Sequence, residues 1–314
     1  MSMANQSIVT EFILLGLSSD PWLQTFFFLV FLVIYLTTLG GNVAIMLARR
    51  VDPHLCTPMY FLLSHLSFSD ICFSSVTVPK MLETLLSERK TISVRGCIAQ
   101  MFFLLLSGCS EVFILSAMAY DRYAAICDPL RYMSAMNKGV CNLLVAGAWL
   151  IGSVYALVNT LPLSALRFCG PNAIRHFSCE LPSLVALSCS KTFTSDTVFL
   201  VSALTIGLVS FSLTLGSYIR ILATILRIRS AEGRHKAFST CSSHLIVVGL
   251  CYGTGLFRYF RPNTSSSVVL DGLVSIQYCI LTPMLNPLIY SLKNKEVKTA
   301  LRRQLQRKNL PIPV

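Results

Sequence analysis

Residues 98–127 read IAQMFFLLLSGCSEVFILSAMAYDRYAAIC, the most informative segment of the chain. The segment is long and apolar enough to cross a bilayer as a helix, which takes about 20 such residues. Near its end an acid stands beside a guanidinium, in Asp121-Arg122. Charges at the edge of the hydrocarbon region are costly, so ionisable residues there are functional candidates. We therefore expect a membrane helix with a functional charge pair at its C-terminal end.

The composition extends this interpretation to the whole chain. Of its 314 residues, 54% are hydrophobic and 13% are charged, and the mean hydropathy is +0.65. Soluble domains have roughly 25% charged residues, so much of the apolar surface must face lipid. The net charge of +12 does not indicate nucleic acid, because the basic residues lie in short loops and in the tail. They are better explained by membrane orientation.

Seven apolar windows of membrane-spanning length follow one another along the chain. They predict an all-α membrane protein, a seven-transmembrane helix bundle, since only helices satisfy the backbone of such segments in lipid. We divide the chain into an extracellular N-terminus at 1–22, the bundle at 23–292 and a cytoplasmic tail at 293–314. The predicted spans are Leu23–Ala48, Pro58–Lys80, Ile98–Ile126, Cys141–Leu161, Thr197–Ile225, Phe238–Tyr259 and Gly272–Leu292.

The loop charges predict the orientation. Basic residues concentrate in the loops after spans one, three and five and in the tail, as in Arg49-Arg50 and Arg302-Arg303. The positive-inside rule then places the N-terminus outside a plasma membrane and the tail in the cytoplasm. Asn5-Gln6-Ser7 becomes a usable glycosylation sequon, and the first span an uncleaved signal anchor. Residues 294–307 suggest a short amphipathic helix on the inner leaflet, with a solvated basic tail as the alternative.

Four of the twelve cysteines fall on the predicted outer side, namely Cys97, Cys169, Cys179 and Cys189. Disulfides persist there, and we expect one bridge between the top of span three and the long loop before span five. Four cysteines allow three connectivities, between which spacing cannot choose. The run from His176 to Glu180, which includes Cys179, also resembles a small metal-ligand cluster, although an oxidised cysteine would be a poor ligand.

Several polar residues lie inside the predicted spans. Asp70 and Glu111 should each be protonated or share a cation, because unpaired burial of a carboxylate is costly. With Asn42 they form either an internal ion or water site or a hydrogen-bonded layer that holds helices together. Asn286-Pro287 predicts a polar flex point in span seven, since proline removes a backbone hydrogen bond.

Four segments in order carry a family resemblance: PMYFL at 58–62, MAYDRYAAIC at 118–127, KAFSTCSSHL at 236–245 and PMLNPLIY at 283–290. From about Thr10 to Leu305 the chain resembles an olfactory receptor of the class II (tetrapod-type), rhodopsin-like seven-helix family. The resemblance implies bridges Cys97–Cys179 and Cys169–Cys189. It also implies an internal acidic pair at Asp70 and Glu111.

The resemblance further implies a switch at the cytoplasmic end. Arg122 would be restrained by Asp121 at rest and released towards a G protein as tyrosines of spans five and seven rearrange. The residues that we assign to coupling are Asp121, Arg122, Tyr123, Tyr218, Lys236, Asn286, Pro287 and Tyr290.

An odorant pocket is expected between spans three, five, six and seven, below the long outer loop. Such pockets are mostly apolar with a few polar anchors, and helix packing is the competing explanation for each residue. The candidate lining residues are Leu104, Leu105, Gly108, Cys109, Ser202, Ala203, Ile206, Tyr252, Gly255, Tyr259, Ile276 and Cys279.

The function expected from the resemblance is an odorant receptor that activates a stimulatory, olfactory-type G protein and raises cyclic AMP. Its partners would be a small apolar odorant, that G protein and membrane lipid, without cofactor, metal or nucleic acid. A small-solute transporter is the first alternative, and solute flux in proteoliposomes would reveal it, although no internal repeat is visible. A membrane enzyme is the second alternative, but the sequence shows no nucleophile–base pair or metal triad.

Overall fold

A computed structural model describes residues 9–18, 20–169, 172–190, 192–259, 267–293 and Thr299. Within this part of the chain, seven helices are long and apolar enough to cross a membrane, which confirms the predicted bundle. We label them α1 (Pro21–Val51), α2 (Pro58–Leu86), α3 (Val94–Cys127), α4 (Lys138–Ser164), α5 (Phe193–Arg227), α6 (Ala231–Tyr259) and α7. The last comprises a helix Ser267–Ile276, a π-helical segment Gln277–Leu281 and a helix Thr282–Lys293.

The helices extend beyond the predicted spans at one or both ends. A hydropathy window detects only the apolar part of a helix, whereas capping side chains set where it begins. The Ser93 hydroxyl accepts from the backbone N–H of Gly96 at 3.1 Å and starts α3. Asp20 caps α1 through the N–H of Trp22 at 2.8 Å, and the Asn137 side chain caps α4.

Helix α3 occupies the centre of the bundle and packs against α2, α4 and α5. Gly152 allows α4 to approach it closely, because an added Cβ there would lie 2.8 Å from the carbonyl oxygen of Leu106. Outward-facing side chains such as Val33 on α1 and Leu208 on α5 are large, apolar and exposed. In a membrane protein these are the surfaces that face lipid.

A small sheet covers the end of the bundle at which α3 begins, here called the loop end. Strand β1 (Glu11–Leu14) pairs antiparallel with β2 (Thr91–Ser93) and parallel with β3 (Ala173–Ile174). The side chains of Phe12 and Leu14 point inward and are fully buried, whereas Glu11 and Ile13 are exposed. These strands are not predictable from the residues, because the segments are too short to give a recognisable alternation.

At the opposite end, here called the DRY end because it holds Asp121, Arg122 and Tyr123, a short helix Tyr132–Ala135 joins α3 to α4. A second short helix, Leu181–Ala186, lies in the long loop at the loop end. The predicted sequon at Asn5 and the predicted tail helix at 294–307 lie outside the described residues, except for Thr299, which is helical.

Candidate functional site

The charge pair at the DRY end is buried, and each member binds a different neighbour. Nη1 of Arg122 donates to the backbone carbonyl of Thr240 on α6. The Asp121 carboxylate accepts from the hydroxyl of Tyr132 at 2.9 Å. Arg122 is thus joined to α6 and Asp121 to the short helix after α3, which differs from the direct restraint of Arg122 by Asp121 suggested at the sequence level.

Tyr132 is a contact that sequence reasoning missed, since nothing in a short loop distinguishes it. Burial and the neighbouring Asp121 carboxylate raise the pKa of Tyr132. Its hydroxyl therefore keeps its proton, and donates it, at pH values where a free tyrosine would begin to ionise.

A second polar link joins α5, α6 and α3 near the DRY end. The hydroxyl of Tyr218 lies 2.7 Å from Nδ1 of His244, and Nε2 of His244 lies 3.0 Å from the carbonyl oxygen of Leu115. A carbonyl only accepts, so Nε2 carries the hydrogen and Nδ1 accepts from Tyr218. His244 is a neutral, hydrogen-bonded core residue in this arrangement.

The other predicted coupling residues lie around this link. Tyr123 packs against a small apolar cluster that includes Ile221 and Ile225 of α5. Tyr290 of α7 is buried, and its hydroxyl has no hydrogen-bond partner among the described residues. Lys236 is exposed on the first turns of α6.

Deeper in the bundle, the predicted internal polar residues meet between α1, α2, α3 and α7. The Nδ2 group of Asn286 donates to both carboxylate oxygens of Asp70, at 2.9 and 3.1 Å. Asn42 donates to the carbonyl of Pro283 at 3.1 Å. Glu111 is 2% exposed, and within the described part of the chain its Oε1 atom has no hydrogen-bond partner. An unpaired buried oxygen is costly, which favours an ion or water site over a fully paired polar layer.

Pro287 marks a close approach between α1 and α7. A Cβ added at Gly41 would lie 3.1 Å from the Pro287 ring. The predicted flex point of span seven thus packs directly on α1, next to the hydrogen bonds of Asn286.

The predicted pocket residues of α3 pack against different parts of the molecule. Leu104 packs against the cluster of α1, α2 and α7 that contains Cys279, with Ile276 at its edge. Leu105 packs against the buried cluster at the loop end that contains Phe12, Leu14 and Cys97, and Cys109 is buried. Gly108 faces Tyr278, whose hydroxyl would lie 2.6 Å from an added Cβ.

The candidates on α5 and α6 are similarly divided. Ser202 exchanges hydrogen bonds with the side chain of Asn159 on α4, at 3.1 and 3.3 Å. Ala203 is buried and Ile206 half-buried. Tyr252 packs edge-on against Phe211 of α5, with ring centres 5.4 Å apart.

Two further pocket candidates lie near the C-terminal end of α6. Gly255 has open space around it. Tyr259 ends α6, but its side chain is outside the described part of the structure.

Two disulfides hold the long loop at the loop end. Cys97 is bonded to Cys179, with Cα atoms 5.4 Å apart, and Cys169 to Cys189, with Cα atoms 5.9 Å apart. These are the pairs that the resemblance implies. Because Cys179 is oxidised, the metal-ligand interpretation of the surrounding run loses its sulfur donor.

The neighbouring side chains bind each other and α7 instead of completing such a cluster. His176 Nε2 lies 3.6 Å from Glu180 Oε1, which accepts from the Ser275 hydroxyl at 2.9 Å. The Ser275 contact, which ties the long loop to α7, was missed at the sequence level.

Comparisons with known proteins agree with this architecture. The family model described as olfactory receptor matches residues 31–308. Human olfactory receptor 5A1 is 52% identical over 306 residues, covering 98% of this chain and 97% of that protein. Mouse olfactory receptor 4E2 is 51% identical over 308 residues, covering 98% of this chain and 99% of that protein. The chain belongs to the olfactory receptor family.

Membership makes the chain a multi-pass membrane protein of the rhodopsin-like, G-protein-coupled receptor class, and not an enzyme. As an olfactory-family receptor, it carries its charge motif at one end of the bundle and its disulfide-linked loop at the other.

Proposed function

We propose that this receptor binds small, mostly apolar odorants within the helix bundle and activates a stimulatory, olfactory-type G protein that raises cyclic AMP. The observation that carries the proposal is the hydrogen bond from Arg122 to the Thr240 carbonyl. It joins α3 to α6 at one end of the bundle through a side chain that can exchange partners.

Ligand binding would act by shifting an existing equilibrium between helix arrangements. A change from about 1:99 to 99:1 needs roughly 5.5 kcal/mol of differential affinity. A small odorant has few atoms with which to supply it, so we expect partial shifts and weak apparent affinities. The links that differ between the arrangements would be Arg122–Thr240 and Tyr218–His244.

The proposed orientation follows from the loop charges, with the N-terminus extracellular and the DRY end cytoplasmic. The loop end, with its two disulfides, would then face the oxidising side, where such bonds persist. Under this orientation a G protein reaches the DRY end and odorants bind nearer the loop end.

Ligand-binding assignments at individual residues remain proposals. Gly108 and Tyr252 are the ones we favour, because each faces another helix across the bundle and not the outer surface. Ser202 would act as a polar anchor only by giving up one of its bonds to Asn159.

The test is odorant-evoked cyclic AMP in cells that express the receptor, with an odorant panel to find an agonist. We expect Arg122→Ala to abolish the response while surface expression is kept. Arg89→Ala, an exposed arginine at the loop end, is the matched control and should respond normally. An undiminished response in Arg122→Ala would contradict the assigned role, and a calcium signal without cyclic AMP would contradict the G-protein class.

A further inference from the structure

A membrane-facing cleft of about 430 Å³ separates the loop-end halves of α6 and α7. Ligand sites in proteins commonly enclose about 300–1,000 Å³. The apolar lining residues include Gly249, Gly253, Phe257, Leu273 and Val274. None of the twelve pocket residues predicted from the sequence is among its described lining residues, so the cleft is separate from the proposed odorant pocket.

Two glycines create the space. Gly249 and Gly253 are four residues apart and therefore lie on the same face of α6. Neither would have a heavy atom of the described residues within 4 Å of an added Cβ. A large side chain at either position would occupy the cleft and not another helix.

The cleft opens towards the bilayer. Phe257 and Leu273 of its lining are 47% and 56% exposed, and Leu256 beside them is 55% exposed. In a chain that spans the membrane, such apolar side chains face acyl chains. A molecule dissolved in the hydrocarbon region can reach the cleft without passing the sheet at the loop end.

Gln277 adds a polar side chain to the lining of the cleft. It lies five residues after Gly272, where the apolar span of α7 begins, which is about 7.5 Å at 1.5 Å per residue. Its backbone carbonyl accepts from Thr282 at 3.0 Å, whereas no hydrogen bond within the described part of the chain uses its side-chain amide. An amide without a partner at this depth is costly, so it favours an occupant with a hydrogen-bonding group.

The depth of Gln277 selects the kind of occupant. The hydrocarbon core is about 30 Å thick, so Gln277, five residues inside the apolar span, lies within it and below the headgroups. A phospholipid keeps its polar groups at the interface and offers only hydrocarbon at this depth. A small molecule with one polar group and an apolar body can place that group beside the amide.

Gln277 also begins the π-helical segment of α7, and such segments occur frequently at functional sites. Thr254 adds a second polar side chain to the lining, although its hydroxyl already donates to the Leu250 carbonyl at 2.6 Å. Gln277 is therefore the polar anchor.

We propose that the α6–α7 cleft is a second binding site, which takes a small membrane-dissolved alcohol, aldehyde or ketone through the Gln277 amide. The proposal rests on the chain spanning a membrane and not on G-protein coupling, so the two can fail independently. Its apolar walls and its position inside the hydrocarbon region distinguish it from a lipid-headgroup site.

The experiment is photoaffinity labelling of the full receptor in phosphatidylcholine nanodiscs with a diazirine-bearing octanol. We expect labelled peptides from 249–257 and 270–277. Gly253→Leu fills the cleft and should reduce this labelling about tenfold. Gly216→Leu on α5 is the matched control, because Gly216 is also an exposed helical glycine with no heavy atom within 4 Å of an added Cβ, and it should label like the wild type.

A second pair of measurements tests the polar anchor. Gln277→Leu should lower octanol labelling of the cleft about tenfold, to the level given by a diazirine-bearing octane, since one hydrogen bond to the half-buried amide is lost. This variant makes the helix more apolar and should insert normally. Labelling spread evenly over all lipid-facing helices, equal labelling by octane and octanol, or a photoreactive phospholipid tail that octanol cannot displace would each overturn the proposal.

Discussion

The two ends of the bundle are held together by different kinds of interaction. At the loop end, two disulfides, a three-stranded sheet and a buried apolar cluster fix the long loop against α3. At the DRY end, the links between helices are hydrogen bonds of single side chains, such as Arg122 to Thr240 and Tyr218 to His244. Covalent and backbone links resist rearrangement, whereas side-chain hydrogen bonds can exchange partners. The comparison indicates a fixed loop end and an adjustable DRY end.

The largest effect is expected from breaking the covalent link of the loop end. Cys97→Ser opens a bridge that spans 82 residues and should lower the free energy of unfolding by about 2–5 kcal/mol. Thermal unfolding in detergent and surface expression measure it. Cys56→Ser, which removes an exposed free cysteine, should change neither, and equal losses in both variants would contradict the assignment.

A smaller loss is expected from the sheet that covers the loop end. Phe12 is fully buried and packs edge-on against Phe168 at 5.1 Å, so Phe12→Ala should cost about 3 kcal/mol. Hydrogen exchange of residues 9–14 and 91–93 reports the loss. Ile13→Ala on the exposed side of the same strand is the control. Similar exchange in both variants would mean that β1 is not anchored through its inward face.

At the DRY end the expected effect is smaller and concerns the equilibrium between states. Tyr218→Phe removes the hydroxyl that donates to His244 and should shift the balance by about 1 kcal/mol, about five-fold in the ratio of states. Basal cyclic AMP and agonist potency should therefore change while thermal stability changes little. Tyr120→Phe, a more exposed tyrosine, is the control. Destabilisation as large as that from Cys97→Ser would contradict an adjustable DRY end.

The smallest expected effect concerns Tyr132, whose ionisation should not make the stability depend on pH in the mildly alkaline range. The pKa of Tyr132 is raised in the folded protein by burial and by Asp121. Its contribution is fully present below the pKa of an unfolded tyrosine, about 10, and is lost only as the pH rises through the higher folded value. The stability difference between the wild type and Tyr132→Phe should thus stay constant between about pH 8 and 9. A difference that varied with pH in this window would mean that the Tyr132 hydroxyl ionises there, and would contradict its raised pKa.

Much of the fold could be predicted from the residues. Seven apolar segments gave the seven helices, because a lipid-exposed backbone must satisfy its own hydrogen bonds. The helix ends were missed by several residues, as at Val94, because capping by Ser93 is a local polar contact that hydropathy does not record. The sheet was missed because β1 is stabilised by the burial of Phe12 and Leu14 against other segments.

The candidate site was predictable as a set of residues but not as a set of contacts. Asp70, Asn286 and Asn42 were recognised as polar residues inside spans, and the structure joins Asp70 to Asn286 across two helices. Tyr132 and Ser275 gave no signal, since their roles depend on groups brought close by folding. Leu104 and Leu105 pack against different clusters. Which cluster each side chain contacts depends on the rotation of α3 about its own axis in the bundle.

Local composition therefore settles how many helices cross the membrane and where the charged motif Asp121-Arg122-Tyr123 lies on them. Backbone polar groups in lipid must be paired internally, and an apolar segment of about 20 residues does this as a helix. The partners of each polar side chain are a property of the tertiary structure. Arg122 lies 118 residues from Thr240 in the chain, and only the packing of α3 against α6 brings them together. The same packing leaves the cleft between α6 and α7. The presence of Gly249 and Gly253 in the sequence does not by itself predict this cleft.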